Sequence, residues 1–288
     1  MKKIKLALIG NSISQSRAPH LHEMMGKIYN IDIAYDLKDP STNTREAFES
    51  TLESLRAEGY TGCNVTFPFK SVALESVTYS DSAVTEVGAT NTLYFADGSV
   101  CATNTDYTGF CKGYCSRRGA KPAGEVLMLG AGGVGRAVAM GLFKVGATKL
   151  YIYDLHADAA TNLALRVNGA GYDAVVVSAE EIPTISQRVN GVVNCSPVGH
   201  YSTPGTPLDT SLFGPQDWAF DAVYTPLDTE FMCAASAAGL ELVSGFDLFF
   251  YQGLDAFEMF TGVKPDPERV FKPFVKAFEI HSKLLNIS

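Results

Sequence analysis

One segment constrains this chain more than any other: Glu125-Val-Leu-Met-Leu-Gly-Ala-Gly-Gly-Val-Gly-Arg-Ala-Val-Ala139. It sets Gly130-x-Gly132-x-x-Gly135 directly after an apolar strand and at the opening of a helix, and the next strand-like run ends at Asp154. In such a turn Gly130 permits the tight bend, Gly132 lets backbone N–H groups approach a pyrophosphate, and Gly135 allows helix and strand to pack closely. Ala131, Gly133 and Val134 complete the loop, and the helix N-terminus it opens favours an anion. A glycine-rich turn with a purely structural role is the alternative. The complete strand, turn, helix and acid sequence favours a dinucleotide site. The Asp154 carboxylate accepts hydrogen bonds from ribose hydroxyls and repels a 2′-phosphate, so NAD is the expected cofactor, with NADP as second choice. The following Leu155-His156 offers no fixed cation.

Around this segment, β-rich runs alternate with helix-patterned ones, the signature of an α/β protein with mostly parallel sheets. Strands are expected at 5–10, 33–38, 62–66, 126–130, 149–154, 174–177, 192–195, 219–223 and 241–243. Residues 91–104 read as a hairpin about the Ala96-Asp97-Gly98-Ser99 turn. Phe48, Leu52 and Leu55 fall at i, i+4, i+7 and predict a helix over 44–55, with Gly59 where it stops. A break near 106–122, ending in Arg117-Arg118-Gly119-Ala120-Lys121-Pro122, separates two domains. The aromatic-rich stretch 246–260 reads as a helix, and Pro265-Asp266-Pro267 resets the chain for a last one through Leu285.

With 288 residues the chain is about twice the commonest domain size, which agrees with that division. Its formal charge of −8 is the wrong sign for coating nucleic acid or acidic membranes, so small solutes are the expected partners. No apolar run is long enough to span a bilayer, and Met1-Lys2-Lys3 leads directly into a strand-like segment, so a cytoplasmic protein is expected. Six scattered cysteines suit reduced thiols, and Cys111 and Cys115, four apart in a helix, are expected to be buried. Five histidines without acidic or thiol neighbours at ligand spacing imply no metal.

Several further segments resemble the shikimate/quinate dehydrogenase family. Ile9-Gly-Asn-Ser-Ile-Ser-Gln-Ser-Arg-Ala-Pro-His-Leu-His22 is similar to its substrate-carboxylate loop, and Asn64-Val-Thr-Phe-Pro-Phe-Lys70 to its lysine motif. Gly88-Ala-Thr-Asn-Thr92 and Asn104-Thr-Asp106 match its paired amide and acid segments, Asn194-Cys-Ser-Pro-Val-Gly199 agrees with it, and Gln252 sits in the expected late helix. The resemblance covers nearly the whole chain in order.

It implies an N-terminal substrate-binding domain over 1–106, to which helices within 247–288 return, and a Rossmann domain over 107–246. The implied activity is reversible hydride transfer between NAD(P) and the C3 hydroxyl of shikimate, quinate or a related cyclic hydroxy acid. Lys70 and Asp106 are the implied polar dyad at the reacting hydroxyl. Such a pair makes chemical sense, because the alcohol must lose a proton as hydride leaves carbon. Whether lysine accepts that proton or orients and stabilises is open at this point. Ser16, Thr66, Asn91, Tyr224 and Gln252 are the implied substrate contacts. Cys195, Val223 and Gly245 join the glycine turn and Asp154 as implied cofactor contacts.

The chain departs from the family at the carboxylate loop. Where the pattern reads Ser-x-Ser-Pro, this chain has Ser16-Arg17-Ala18-Pro19, and its own Ser14-Gln15-Ser16 lies two residues early. One hydrogen bond to a carboxylate is worth about 1.5–3 kcal/mol, so Ala18 points to weaker binding or a changed ring acid. A paralogue acting on an amino-substituted ring acid and a non-catalytic dinucleotide sensor are the rival readings. Retention of Lys70, Asn91 and Asp106 together argues against the sensor.

Overall fold

The computed structural model describes residues 3–285 and 287. Met1 and Lys2 of the Met1-Lys2-Lys3 lead-in lie outside the described residues, as do Asn286 and Ser288. The chain divides into two compact units, Met1–Thr108 with Tyr251–Glu279, and Gly109–Phe250 with Ile280–Ser288.

The first unit holds β1 (Ile4–Ile9), α1 (Ala18–Tyr29), β2 (Ile33–Lys38), α2 (Arg45–Ala57), β3 (Gly62–Val65), β4 (Tyr79–Ser80), α3 (Ser82–Val87), β5 (Thr92–Ala96), β6 (Ser99–Thr103) and the start of α4 (Thr105–Arg118). Its sheet runs β2-β1-β3-β5-β6-β4. β1 pairs in parallel with β2 and β3, whereas β5 is antiparallel to both neighbours, as a hairpin requires. The short β4 carries no alternating apolar pattern and was not expected from the sequence.

Side-chain alternation along β1 builds two cores. Ala7 and Ile9 face a cluster with Phe48, Leu52 and Leu55 of α2, while Leu6 and Leu8 face one with Tyr35, Ala256 and Phe260. Both clusters draw on full burial of large side chains, worth about 1.5–3 kcal/mol each. The helix expected over 44–55 is α2. Thr44 caps it by accepting the Ala47 N–H.

The second unit holds the rest of α4, β7 (Gly124–Leu129), α5 (Gly133–Lys144), β8 (Ala147–Tyr153), α6 (Ala157–Gly169), β9 (Ala174–Val176), α7 (Ile182–Ser186), β10 (Gly191–Asn194), β11 (Trp218–Asp221), α8 (Glu230–Ala237), β12 (Glu241–Ser244) and the first part of α9 (Gly245–Thr261). Its sheet, β12-β11-β10-β7-β8-β9, is parallel throughout. Val126–Leu129 and Trp218–Phe220 are buried, which is why these strands read as unbroken apolar runs rather than alternating ones. The order reverses between β7 and β10, the switch point at which open parallel sheets bind ligands.

The chain returns to the first unit within α9 and continues into α10 (Pro267–Ala277). Gly253 lets α9 approach α1, since a Cβ there would lie 2.3 Å from a methyl of Leu21. Two sequence expectations are corrected. The last helix stops at Ala277 rather than Leu285, because Glu279 takes a left-handed conformation (φ 49°). Residues 280–285 and 287 then belong to the second unit, where Asp228 accepts from the Ser282 hydroxyl and the Lys283 N–H. Cys115 is exposed and Cys111 only half-buried, because the apolar face of α4 is carried by Phe110 and Tyr114 instead. Among the described residues no helix is long and apolar enough to cross a membrane.

Candidate active site

In the first unit, the turn 66–70 is set by Phe69. Its ring is fully buried and stacks on Phe48 at 5.4 Å, and its N–H donates to the Thr66 carbonyl at 2.9 Å. Lys70 therefore leaves the core, and Lys70 Nζ donates to Asp106 Oδ2 at 2.6 Å. Asp106 lies in the first turn of α4, where the helix dipole favours a carboxylate. The two side chains are 19% and 11% exposed, so the pair is shielded yet reachable.

Beside it runs a buried polar network. Asn91 Oδ1 accepts the Thr105 N–H at 2.7 Å, and Asn91 Nδ2 donates to Thr105 Oγ1 at 2.9 Å. Thr105 Oγ1 donates in turn to Gln252 Oε1 at 3.4 Å, which ties α9 to the start of α4. Asn64 Nδ2 donates to the Thr92 hydroxyl and accepts at Oδ1 from Tyr35. The expected contacts Asn91 and Gln252 are thus joined through Thr105, to which the sequence reading assigned no role. Thr105 sits between Asn104 and Asp106 in a segment already singled out. Its signal was position, while its function as a hub depends on Gln252, far along the chain.

Ser16 and Thr66 come from two loops held together by small residues. A Cβ on Gly10 would lie 2.2 Å from Thr66 Cγ2, and the Asn11 N–H donates to the Phe67 carbonyl at 2.9 Å. Ser16 Oγ accepts the Ala18 N–H at 3.3 Å, leaving its own proton to donate. Ala18 opens α1, and the side chain of its N-cap residue Arg17 makes no capping hydrogen bond. Arg17 places its guanidinium over the Phe278 ring at 5.7 Å.

In the second unit, the glycine turn fits a dinucleotide. Nothing lies within 4 Å of a Cβ built on Gly132, whereas one on Gly130 would strike Ser196 N at 2.5 Å and one on Gly135 the Gly130 carbonyl at 2.7 Å. Gly130 and Gly135 thus serve close backbone packing, and Gly132 leaves open space before the N-terminus of α5, which no side chain caps. Asp154 Oδ2 accepts the Ala131 N–H at 2.7 Å and Oδ1 the His156 N–H at 2.8 Å. Each oxygen keeps a further lone pair for a hydroxyl.

A cavity of about 410 Å³ opens at the carboxyl ends of β10 and β11, lined by Val134, Cys195, Pro197, His200, Val223 and Tyr224 among others. Tyr224 stacks on Phe249 at 5.2 Å, within this unit and at this cavity. Burial holds the Cys195 thiol protonated, well above the usual thiol range. Gly245 has a packing reason of its own, since a Cβ there would lie 2.1 Å from the Ala222 carbonyl.

The family model described as shikimate dehydrogenase substrate binding domain matches residues 8–93. The chain is 35% identical to a quinate/shikimate dehydrogenase (NAD(+)) of Corynebacterium efficiens, over 94% of this chain and 98% of that one. It is 33% identical to a shikimate dehydrogenase (NADP(+)) of Pseudarthrobacter chlorophenolicus, over 94% of each. Among solved structures, quinate dehydrogenase from Corynebacterium glutamicum in complex with NAD superposes with a TM-score of 0.88 at 33% identity, covering 96% of this chain and 100% of that chain. An N-terminal substrate-binding module followed by a Rossmann module, matched at this identity along nearly its whole length, makes the chain a member of the shikimate/quinate dehydrogenase family.

Proposed function

We propose that this protein is an NAD-preferring dehydrogenase that reversibly oxidises the C3 hydroxyl of shikimate, quinate or a closely related cyclic hydroxy acid. The observation that carries the reading is the shielded Lys70–Asp106 pair, 2.6 Å from nitrogen to oxygen, beside the Asn91–Thr105–Gln252 network. A bound dinucleotide would supply the two-electron acceptor for the hydride of the ring carbon. All else falls to the chain's own residues.

The substrate O–H meets this pair: Lys70 holds the oxygen, and the Asp106 carboxylate takes the proton as the carbonyl forms. Lys70 presents a compact positive charge to the alkoxide character that develops on oxygen, and Asp106 holds that charge in place. Ser16 and Thr66 offer hydroxyls to the ring acid, and the remaining N–H of Asn91 and the amide of Gln252 address its other polar groups. In the second unit, Gly132 and the α5 N-terminus would hold the pyrophosphate and Asp154 the ribose hydroxyls. Asp154 and the names of the relatives first matched support NAD over NADP. The six free cysteines suit a cytoplasmic location.

Ala18 carries a second reading, an amino-substituted ring acid as substrate, since it lacks the hydroxyl expected in the carboxylate loop. Initial rates in a grid of shikimate or quinate against NAD or NADP, extended to amino-substituted ring acids, decide between them. Turnover of shikimate or quinate with NAD is the expected result. Silence across those columns with turnover of an amino acid analogue would replace the first reading by the second.

A further inference from the structure

Asp221 closes β11 and is fully buried, with 0% of its surface exposed. Three donors surround its carboxylate: Asn194 Nδ2 at 2.9 Å and the Val223 N–H at 3.0 Å on Oδ1, and the Thr229 hydroxyl at 2.5 Å on Oδ2. Among the described residues no cation pairs with it. On the β10 side the titratable neighbour is the Cys195 thiol, which burial keeps neutral. On the β12 side Ser244 lies opposite in register, and Asp247 behind it is neutralised by Arg117 at 2.8 Å. Beyond Thr229, Asp228 is held by Ser282 and Lys283, and Glu230 is exposed on α8. His200 also lines the cavity.

An uncompensated buried carboxylate is costly, and its position is informative. Ala222, Val223 and Tyr224, which follow it, line the 410 Å³ cavity, and so does Cys195, which follows its partner Asn194. The sheet reverses between β7 and β10, with the uncapped α5 N-terminus at that point and Asp154 on the β8 side. A dinucleotide whose adenosine lies toward β8 extends its other half over β10 and β11, at this cavity. Its nicotinamide ring is cationic when oxidised and neutral when reduced.

We propose that Asp221 is the countercharge for the oxidised nicotinamide ring, a positioning residue that raises affinity for NAD⁺ relative to NADH. The inference rests on the dinucleotide reading given above and adds redox-state selectivity to it. Burial pushes the Asp221 carboxyl up to about 7 despite its three donors. A cationic ring beside it favours the ionised form, so binding below that value releases a proton. NAD⁺ affinity therefore rises as pH increases through about 7 and levels off above it, whereas NADH affinity gains nothing.

The experiment is titration of the full-length protein with NAD⁺ and with NADH, by calorimetry and fluorescence, across pH values from about 6 to about 8. Asp221→Asn keeps the acceptor for Asn194 and Val223 and can donate to Thr229. It is expected to weaken NAD⁺ by roughly three- to tenfold at the upper pH, leave NADH within about twofold, and flatten the pH dependence for NAD⁺. Thr229→Val removes one donor to the carboxylate and should move the NAD⁺ midpoint to higher pH. It carries the test alone if the first variant does not fold. Equal effects on both dinucleotides, or an unmoved midpoint in Thr229→Val, would overturn the proposal while leaving dinucleotide binding intact. Failure of the wild-type protein to bind either dinucleotide would instead overturn the functional reading itself.

Discussion

Lys70 and Asp106 are brought to 2.6 Å from segments 36 positions apart, one carried on a turn anchored by Phe69 and the other on the first turn of α4. Each is placed by a feature with its own physical cause, ring burial in one case and the helix dipole in the other. Their meeting is a property of the fold of the first unit.

Removing either partner should slow turnover sharply without disturbing the dinucleotide. Lys70→Met and Asp106→Asn are each expected to lower kcat by about 10²-fold or more, the usual scale for lost proton-transfer groups. Dissociation constants for NADH, read by fluorescence, should stay within about twofold, because the glycine turn and Asp154 lie in the other compact unit.

Asp154→Ala should weaken NAD and relax cofactor choice. Loss of a hydrogen bond to a charged group costs about 1.5–3 kcal/mol, which corresponds to a rise in KM for NAD of roughly ten- to a hundredfold. The ratio of kcat/KM for NAD to that for NADP is the readout, and it should fall by at least the same factor, since the repulsion of a 2′-phosphate is removed as well.

Ala18→Ser should restore a donor at the carboxylate loop. KM for shikimate is expected to drop by about tenfold or more with kcat nearly unchanged, the pattern of added ground-state binding. An unchanged KM would show that the ring acid's carboxylate is held elsewhere.

His22 makes stability depend on pH. It is buried among Tyr35, Phe257 and Phe260, its Nδ1 has no hydrogen-bond partner among the described residues, and burial lowers its pKa from 6.5 to about 3. The unfolded chain therefore binds a proton that the folded one refuses. The contribution is intact above about pH 6.5 and is lost progressively as pH falls toward 3. His22→Phe should remove this part of the acid sensitivity, seen as a flatter fall of Tm on acidification from neutral pH, and cost little at neutral pH.

Much of this architecture was legible because it is local. The glycine turn with its strand and helix, the hairpin at Ala96–Ser99 and the i, i+4, i+7 face of α2 are set by steric freedom at glycine, turn chemistry and the helical period, all properties of short segments. The order of motifs was also sufficient to indicate the family. The two-residue β4, the early end of the last helix and the exposure of Cys115 were not legible. Each depends on which neighbours a segment meets.

The site divides the same way. Lys70, Asp106, Asn91 and Asp154 could be named from their segments, whose residue types suit proton transfer, amide contacts and ribose recognition. Thr105 as the hub between Asn91 and Gln252, and Asp221 as a buried acid with no cation among the described residues, could not. Gln252 lies 147 positions from Thr105, and nothing near Asp221 in sequence announces that its carboxylate is fully buried. Sequence alone determined which chemical groups this protein possesses and which short elements carry them, because covalent geometry and side-chain periodicity act over a few residues. Only the tertiary structure decided which groups share a hydrogen bond and which are stripped of water, because desolvation and proximity depend on segments that meet only on folding.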